Sequence, residues 1–224
     1  MSIARITMKP WDAGIHTATR RFDNTKLVAL NTCPTYGIVR YELHKTYKSG
    51  SRAMALEAGS AAHEAYAAIR IGDLYLNGPA FYSDIYTADD IRGAAYDRSI
   101  DLFGLYRTDA LIDAITTGED VERSSMLGAL EIFGSSGYYE DPSDRRRTIA
   151  NIEQALIAYI SRYPIGVSMP IVRDGFVGIE IPINMYLGID TTDGEHYDLQ
   201  FVGRVDGVHY SDRTRTTIVV EENK

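Results

Sequence analysis

A chain of 224 residues, 45% hydrophobic and 24% charged, can bury one substantial core, as one large domain or as a core with an insertion. Its net charge of −8 counts against a broad basic surface, so any nucleic acid would have to be held locally. One cysteine excludes an internal disulfide, which fits a reducing cytoplasm; no apolar run reaches membrane-spanning length, and the opening Met-Ser-Ile-Ala-Arg-Ile-Thr lacks a signal-peptide core.

In chain order, the first strong element lies in the N-terminal third. Ser51 to Ile71 is rich in Ala, Met, Leu and Glu, contains no proline and leads to Gly72-Asp73, which predicts a helix stopped by glycine. Within it Gly59 and His63 stand at i and i+4, and His63 shares a face with Leu56 and Tyr66 that looks toward the packed side. Glycine inside a helix costs ~1 kcal/mol relative to alanine, so Gly59 predicts another backbone approaching one turn before His63. A lone histidine on such a face is ordinarily a satisfied core residue. His63 acquires chemistry only if partners come from elsewhere.

The stretch 88–163 reads as a helical insertion. Ala88 to Thr117 and Arg145 to Tyr163 carry apolar residues three and four apart, as in Ile149, Ile152, Leu156, Tyr159 and Ile160, and Gly134-Ser135-Ser136-Gly137 with Asp141-Pro142-Ser143 marks a loop between them. Local DNA contacts could come from Arg20-Arg21, Lys45, Lys48 and Arg145-Arg146-Arg147, although arginines opening a helix are commonly just solvated. Sixteen tyrosines offer rings for stacking on unpaired bases, most of them core or rim residues.

Residues 176–224 read as strands. Val177, Ile179, Ile181 and Ile183 are apolar, so Glu180 belongs to the opposite face with Gly178, Pro182 and Asn184, where it is as readily a solvated or salt-bridged acid as a site residue. Leu199 to Tyr210 and Thr216 to Val220 are dense in β-branched and aromatic residues, with the turn-prone Ser211-Asp212-Arg213 between them, which predicts a hairpin. If Tyr210 pairs with Ile218 across a seven-residue loop, Asp206 falls opposite Glu222. Alternation then puts Ile218, Val220, Glu222 and Lys224 on one face and Val219, Glu221 and Asn223 on the other, so Glu222 and Lys224 act together and Glu221 is set aside. Paired carboxylates suit a hard divalent cation, Mg²⁺ or Mn²⁺, and a nearby lysine can offset phosphate charge or orient the attacking water.

Gly59-Ser60-Ala61-Ala62-His63, Gly203-Arg204-Val205-Asp206 and Glu222-Asn223-Lys224 resemble the G-x-x-x-H, G-x-x-D and E-x-K motifs of RecB-type nucleases in the PD-(D/E)XK superfamily. Leu30-Asn31-Thr32-Cys33-Pro34 with Tyr41-Glu42-Leu43 resembles that group's N-terminal helix, and Gly178-Ile179-Glu180-Ile181 its acid-bearing strand, so the likeness spans roughly residues 24 to 224 in the family's order. The resemblance implies an α/β fold, a restriction-endonuclease-like mixed sheet flanked by helices, in one nuclease domain over 1–224: helices with the histidine motif at 24–71, the insertion at 88–163 and the catalytic strands at 176–224. It implies His63, Asp206 and Glu222 as metal ligands with the Asn223 carbonyl as a further one, Asp206, Glu222 and Lys224 as catalytic, and Glu180 as a possible accessory. A histidine ligand favours Mn²⁺ somewhat over Mg²⁺.

The implied activity is metal-dependent DNA hydrolysis, foremost by an exonuclease in recombination, repair or phage replication, acting on single-stranded DNA or duplex ends in the cytoplasm of a bacterial or phage-infected cell. The alternatives are a CRISPR spacer-processing nuclease and an inactive nuclease-fold module that binds DNA or protein. The family continues past its E-x-K strand with a helix and a strand not found in this sequence, so the 224 residues are expected to be a truncated part of a longer protein. Cluster-bearing relatives need four cysteines; Cys33 alone predicts no iron–sulfur cluster within these residues and is expected to be a small buried residue.

Overall fold

The computed structural model describes residues 18–33, 54–140, 144–190 and 197–221. By its internal contacts the chain divides into two compact units, Met1–Arg52 with Pro182–Arg204, and Ala53–Ile181 with Val205–Lys224. In the first, β1 (Ala18–Phe22) runs parallel to the start of β6 (Tyr197–Tyr210), from Ala18↔Tyr197 to Phe22↔Phe201. Helix α1 (Asn24–Thr32) follows directly, its first turn capped by the Asp23 carboxylate, which accepts from the Lys26 N–H at 2.7 Å. Cys33 closes this helix and is exposed, which corrects its expected burial: it sits at the C-terminal cap with its N–H on the Ala29 carbonyl, not on a packed face.

The second unit is organised around α2 (Met54–Phe81). It packs chiefly on α5 (Val121–Gly134) and α3 (Ala88–Phe103), while α4 (Leu105–Thr116) lies against α5 and α6 (Ile149–Arg162) also meets α2 and α5. Ala65, Ala68, Ile69, Leu74, Ile91, Leu111, Ile132 and Leu156 are fully enclosed at these contacts, each large aliphatic side chain contributing ~1.5–3 kcal/mol of burial. Helix α2 does not stop at Gly72-Asp73 but runs to Phe81, ten residues past Ile71. Gly72 is buried inside it because the helix passes close to α5 there: a Cβ on Gly72 would lie 3.1 Å from Ser125 Oγ. The glycine serves packing rather than termination. The span 88–117, expected as one helical stretch, is broken at Gly104 (φ 80°) into α3 and α4, and the expected start of α6 at Arg145 moves to Ile149, where Thr148 caps it.

Strand β6 is the hub of the pairing. In the second unit it runs antiparallel to β2 (Met169–Pro170; Met169↔Tyr210) and to β7 (Ile218–Glu221). It also pairs with β5 (Ile179–Asp190). The β7 register runs from Gly207↔Glu221 to Tyr210↔Ile218, the pairing expected from the sequence. A two-stranded ribbon, β3 (Val172–Arg173) with β4 (Phe176–Val177), turns through Asp174 and Gly175, both at positive φ as a tight hairpin turn requires. The Tyr82 hydroxyl, just past the end of α2, donates to the Pro170 carbonyl at 2.6 Å and so ties the helix to β2. The architecture is therefore mixed α/β, with six helices among the described residues. No described helix is long and apolar enough to cross a membrane.

Candidate metal centre

Three elements of the second unit bring His63, Glu180 and Asp206 together. The histidine comes from α2, whose Ala-rich run Ala61, Ala65 and Ala68 lets it pack closely and holds the imidazole at a fixed height. Its Nδ1 lies 3.4 Å from Asp206 Oδ1 and 3.8 Å from Glu180 Oε1, and one donor atom from each residue falls within 4.8 Å of the others. The carboxylate side chains are only 8% and 11% exposed for Glu180 and Asp206, whereas that of His63 is 40% exposed, so the cluster is walled by acids and open on the histidine side.

The acid strands are pinned to one another at Gly178. Its N–H donates to the Ile171 carbonyl, its carbonyl accepts from Val208 N–H at 2.8 Å, and Val208 in turn accepts from Ile171 N–H. A Cβ at 178 would meet the Val208 carbonyl oxygen at 2.3 Å, so only glycine lets residue 178 lie flat against β6, two residues from Glu180 and two from Asp206 along their strands. Glu180 itself has φ 51°, a left-handed conformation that costs a non-glycine residue roughly 1–3 kcal/mol. From α3, Arg98 donates to the carbonyls on both sides of this kink: Nε and Nη2 to Ile179 at 3.0 and 2.6 Å, and Nη2 to Glu180 at 2.7 Å. The solvated reading of this acid does not hold: the residue is 7% exposed and its carboxylate lies 3.8 Å from His63 Nδ1, an ion-pair distance.

A second polar cluster lies two helical turns beyond His63 on α2. Arg70, 2% exposed, donates through Nη2 and Nε to Glu221 Oε2 at 3.0 and 3.2 Å, and through Nε to the Tyr159 hydroxyl at 2.8 Å. Tyr159 donates to the other Glu221 oxygen, and His209 Nε2 stands 3.4 Å from Glu221 Oε2. Burial, with the Arg70 charge beside it, pushes the His209 pKa down to about 4 despite the opposing pull of Glu221. Burial likewise raises the Tyr159 phenol well above its ordinary value. Glu221, set aside in the sequence, therefore anchors β7 to the helix that carries His63.

Of the site residues expected from the sequence, the structure brings His63, Asp206 and Glu180 together; Glu222, Asn223 and Lys224 lie outside the described residues. Among the candidate DNA contacts, Arg146 and Arg147 reach back to Asp144, as local surface pairs, and Lys45 and Lys48 lie outside the described residues. Nothing described lies within 4 Å of a Cβ placed on exposed Gly59, so the expected close backbone approach there is not found among the described residues. Arg98 and Arg70 were missed, though each carried a signal: Arg98 interrupts the buried stripe Ile91, Ala95 and Phe103, and Arg70 the stripe Ala67 and Leu74. An arginine on a packed face needs acceptors, and both find them.

The donor set suits a hard divalent cation. In an octahedron with bonds near 2.1 Å neighbouring donors lie about 3.0 Å apart, so the 3.4 and 3.8 Å separations would have to close by several tenths of an ångström around such an ion. No family model matches the chain, and neither does any curated protein or solved structure.

Proposed function

We propose that the chain is a metal-dependent deoxyribonuclease of the PD-(D/E)XK type that hydrolyses phosphodiester bonds, acting foremost from DNA ends. The observation that carries the reading is the convergence of Glu180 and Asp206, both nearly buried, on the Nδ1 of His63. The element order supports it as well: a helix with the histidine, a strand with an acid, a second strand with an acid, and β7 beside that second strand in the expected register.

In this reading His63, Asp206 and Glu180 hold Mg²⁺ or Mn²⁺, and Glu222 with the Asn223 carbonyl completes the ligand set. A cation so held would lower the pKa of a bound water and offset charge on the scissile phosphate. Lys224 would stabilise the phosphate or orient the attacking water. The exposed flank of His63 is the side from which a DNA end would reach the acids, with the half-buried Tyr66 ring 6.3 Å from the imidazole.

Incubating the protein with labelled linear and circular DNA in Mn²⁺ and in Mg²⁺ tests the proposal. Linear DNA should be degraded first, and Asp206→Ala and His63→Ala should abolish the activity. Intact DNA in both metals, or undiminished cleavage by Asp206→Ala, overturns it.

A further inference from the structure

Glutamate is a poor occupant of the backbone it adopts at position 180. Left-handed φ is the province of glycine, with asparagine and aspartate as the tolerated exceptions, and the φ of 51° at Glu180 falls inside strand β5 rather than in a turn. A residue kept against its backbone preference is kept for its side chain, and something must hold the backbone in place. The guanidinium nitrogens of Arg98 grip the carbonyls of this kink.

Arg98 is itself unusually placed. It belongs to the face of α3 that buries Ile91, Ala95 and Ser99, and its side chain is 17% exposed. Its contact with Asp101, which is 71% exposed at 3.5 Å, is a screened surface pair of little weight. Three donor contacts of 2.6 to 3.0 Å on two successive carbonyls hold its guanidinium against the backbone of β5. Only a planar fork with several donors can bridge two carbonyls in this way, which an ammonium on a flexible stem does not reproduce.

We infer that Arg98 is a positioning residue of the metal centre, holding the Ile179 and Glu180 carbonyls so that the Glu180 carboxylate is aimed at His63 and Asp206. This rests on the metal-site reading above. It gives the helical insertion a part in the site, since α3 supplies no ligand but fixes the geometry of one. Partners that orient a ligand typically change metal affinity about 10–100-fold when removed.

The test is Mn²⁺ binding by calorimetry and electron paramagnetic resonance, with no DNA present, on the wild-type chain, Arg98→Ala, Glu180→Gln, the double variant and Asp206→Ala, each checked for helix content by circular dichroism. Arg98→Ala should weaken Mn²⁺ binding by about 10-fold or more. In the Glu180→Gln background, removing Arg98 should have little further effect, because Arg98 acts through that carboxylate. A merely structural arginine would give losses that add in full. Should the alanine variant fail to fold, Arg98→Lys carries the same cycle, keeping charge and stem but not the fork. Wild-type affinity in Arg98→Ala, or full additivity with Glu180→Gln, removes the Arg98 assignment and leaves the metal site standing. No Mn²⁺ binding by the wild-type chain, or equal binding by Asp206→Ala, overturns the metal-site reading and the Arg98 assignment together.

Discussion

Replacing Glu221 by alanine removes the carboxylate that neutralises Arg70, and the structure sets the size of the effect. Both residues are enclosed, at 5% and 2% exposure, and Glu221 accepts two hydrogen bonds from the guanidinium and one from Tyr159. After the substitution Arg70 retains the Tyr159 oxygen and an Asp73 oxygen 3.9 Å away, and its Nη1 makes no hydrogen bond even in the intact chain. Removing one partner of a buried, hydrogen-bonded ion pair costs about 3–5 kcal/mol. At roughly 2–4 °C per kcal/mol for a chain of this size, the melting midpoint should fall by roughly 6–20 °C. Urea unfolding in EDTA, followed by far-ultraviolet circular dichroism, reads this directly from the helices. The double replacement Arg70→Met with Glu221→Leu should recover most of the loss, because it removes the charge that needs a partner. A loss below about 1 kcal/mol for Glu221→Ala, the scale of an exposed pair, would refute the argument.

Gly178→Ala should destabilise the chain by about 1–3 kcal/mol and weaken Mn²⁺ binding, since the new Cβ would sit 2.3 Å from the Val208 carbonyl oxygen and force β5 away from β6; an unchanged urea midpoint would contradict this. The neutral His209 gives stability a defined pH dependence. Between pH 6.5 and about 4 the unfolded histidine takes a proton that the folded one refuses, so its contribution is complete above pH 6.5 and is lost as pH falls toward 4. At 1.36 kcal/mol per pKa unit that is on the order of 3 kcal/mol, and His209→Gln should flatten the fall in melting midpoint over this interval; an unchanged slope would assign the dependence elsewhere.

The sequence carried the local patterns well and the long-range pairings poorly. The hairpin register of β6 and β7 followed from two β-rich runs and a turn of fixed length, and Ile152, Leu156, Tyr159 and Ile160 are buried on α6 as their spacing required. Gly72 misled because a glycine stop and a glycine at a helix crossing look identical until α5 is seen beside it. Helix α5 itself was not singled out, although Asp120 caps it by accepting from Arg123 N–H, and the Asp174-Gly175 turn was a readable hairpin signal that went unused. His63 and Asp206 were legible as candidate metal ligands. Glu180 was left between a solvated or salt-bridged acid and an accessory of that site, because its positive φ, beside which the cluster forms, cannot be read from strand alternation.

The separation along the chain of the residues that meet at β7 bears on when the site can exist. Helices α2 to α5 pack on one another within residues 54–134, whereas Arg70 meets Glu221 across 151 residues, a longer loop to close. A chain emerging from the ribosome can thus pack its helices while Asp206 and Glu221 are still unmade. His63 on α2 waits, already in place, for the strands that bring Glu180 and Asp206 to it, so the three-residue cluster does not exist until β5 and β6 have docked.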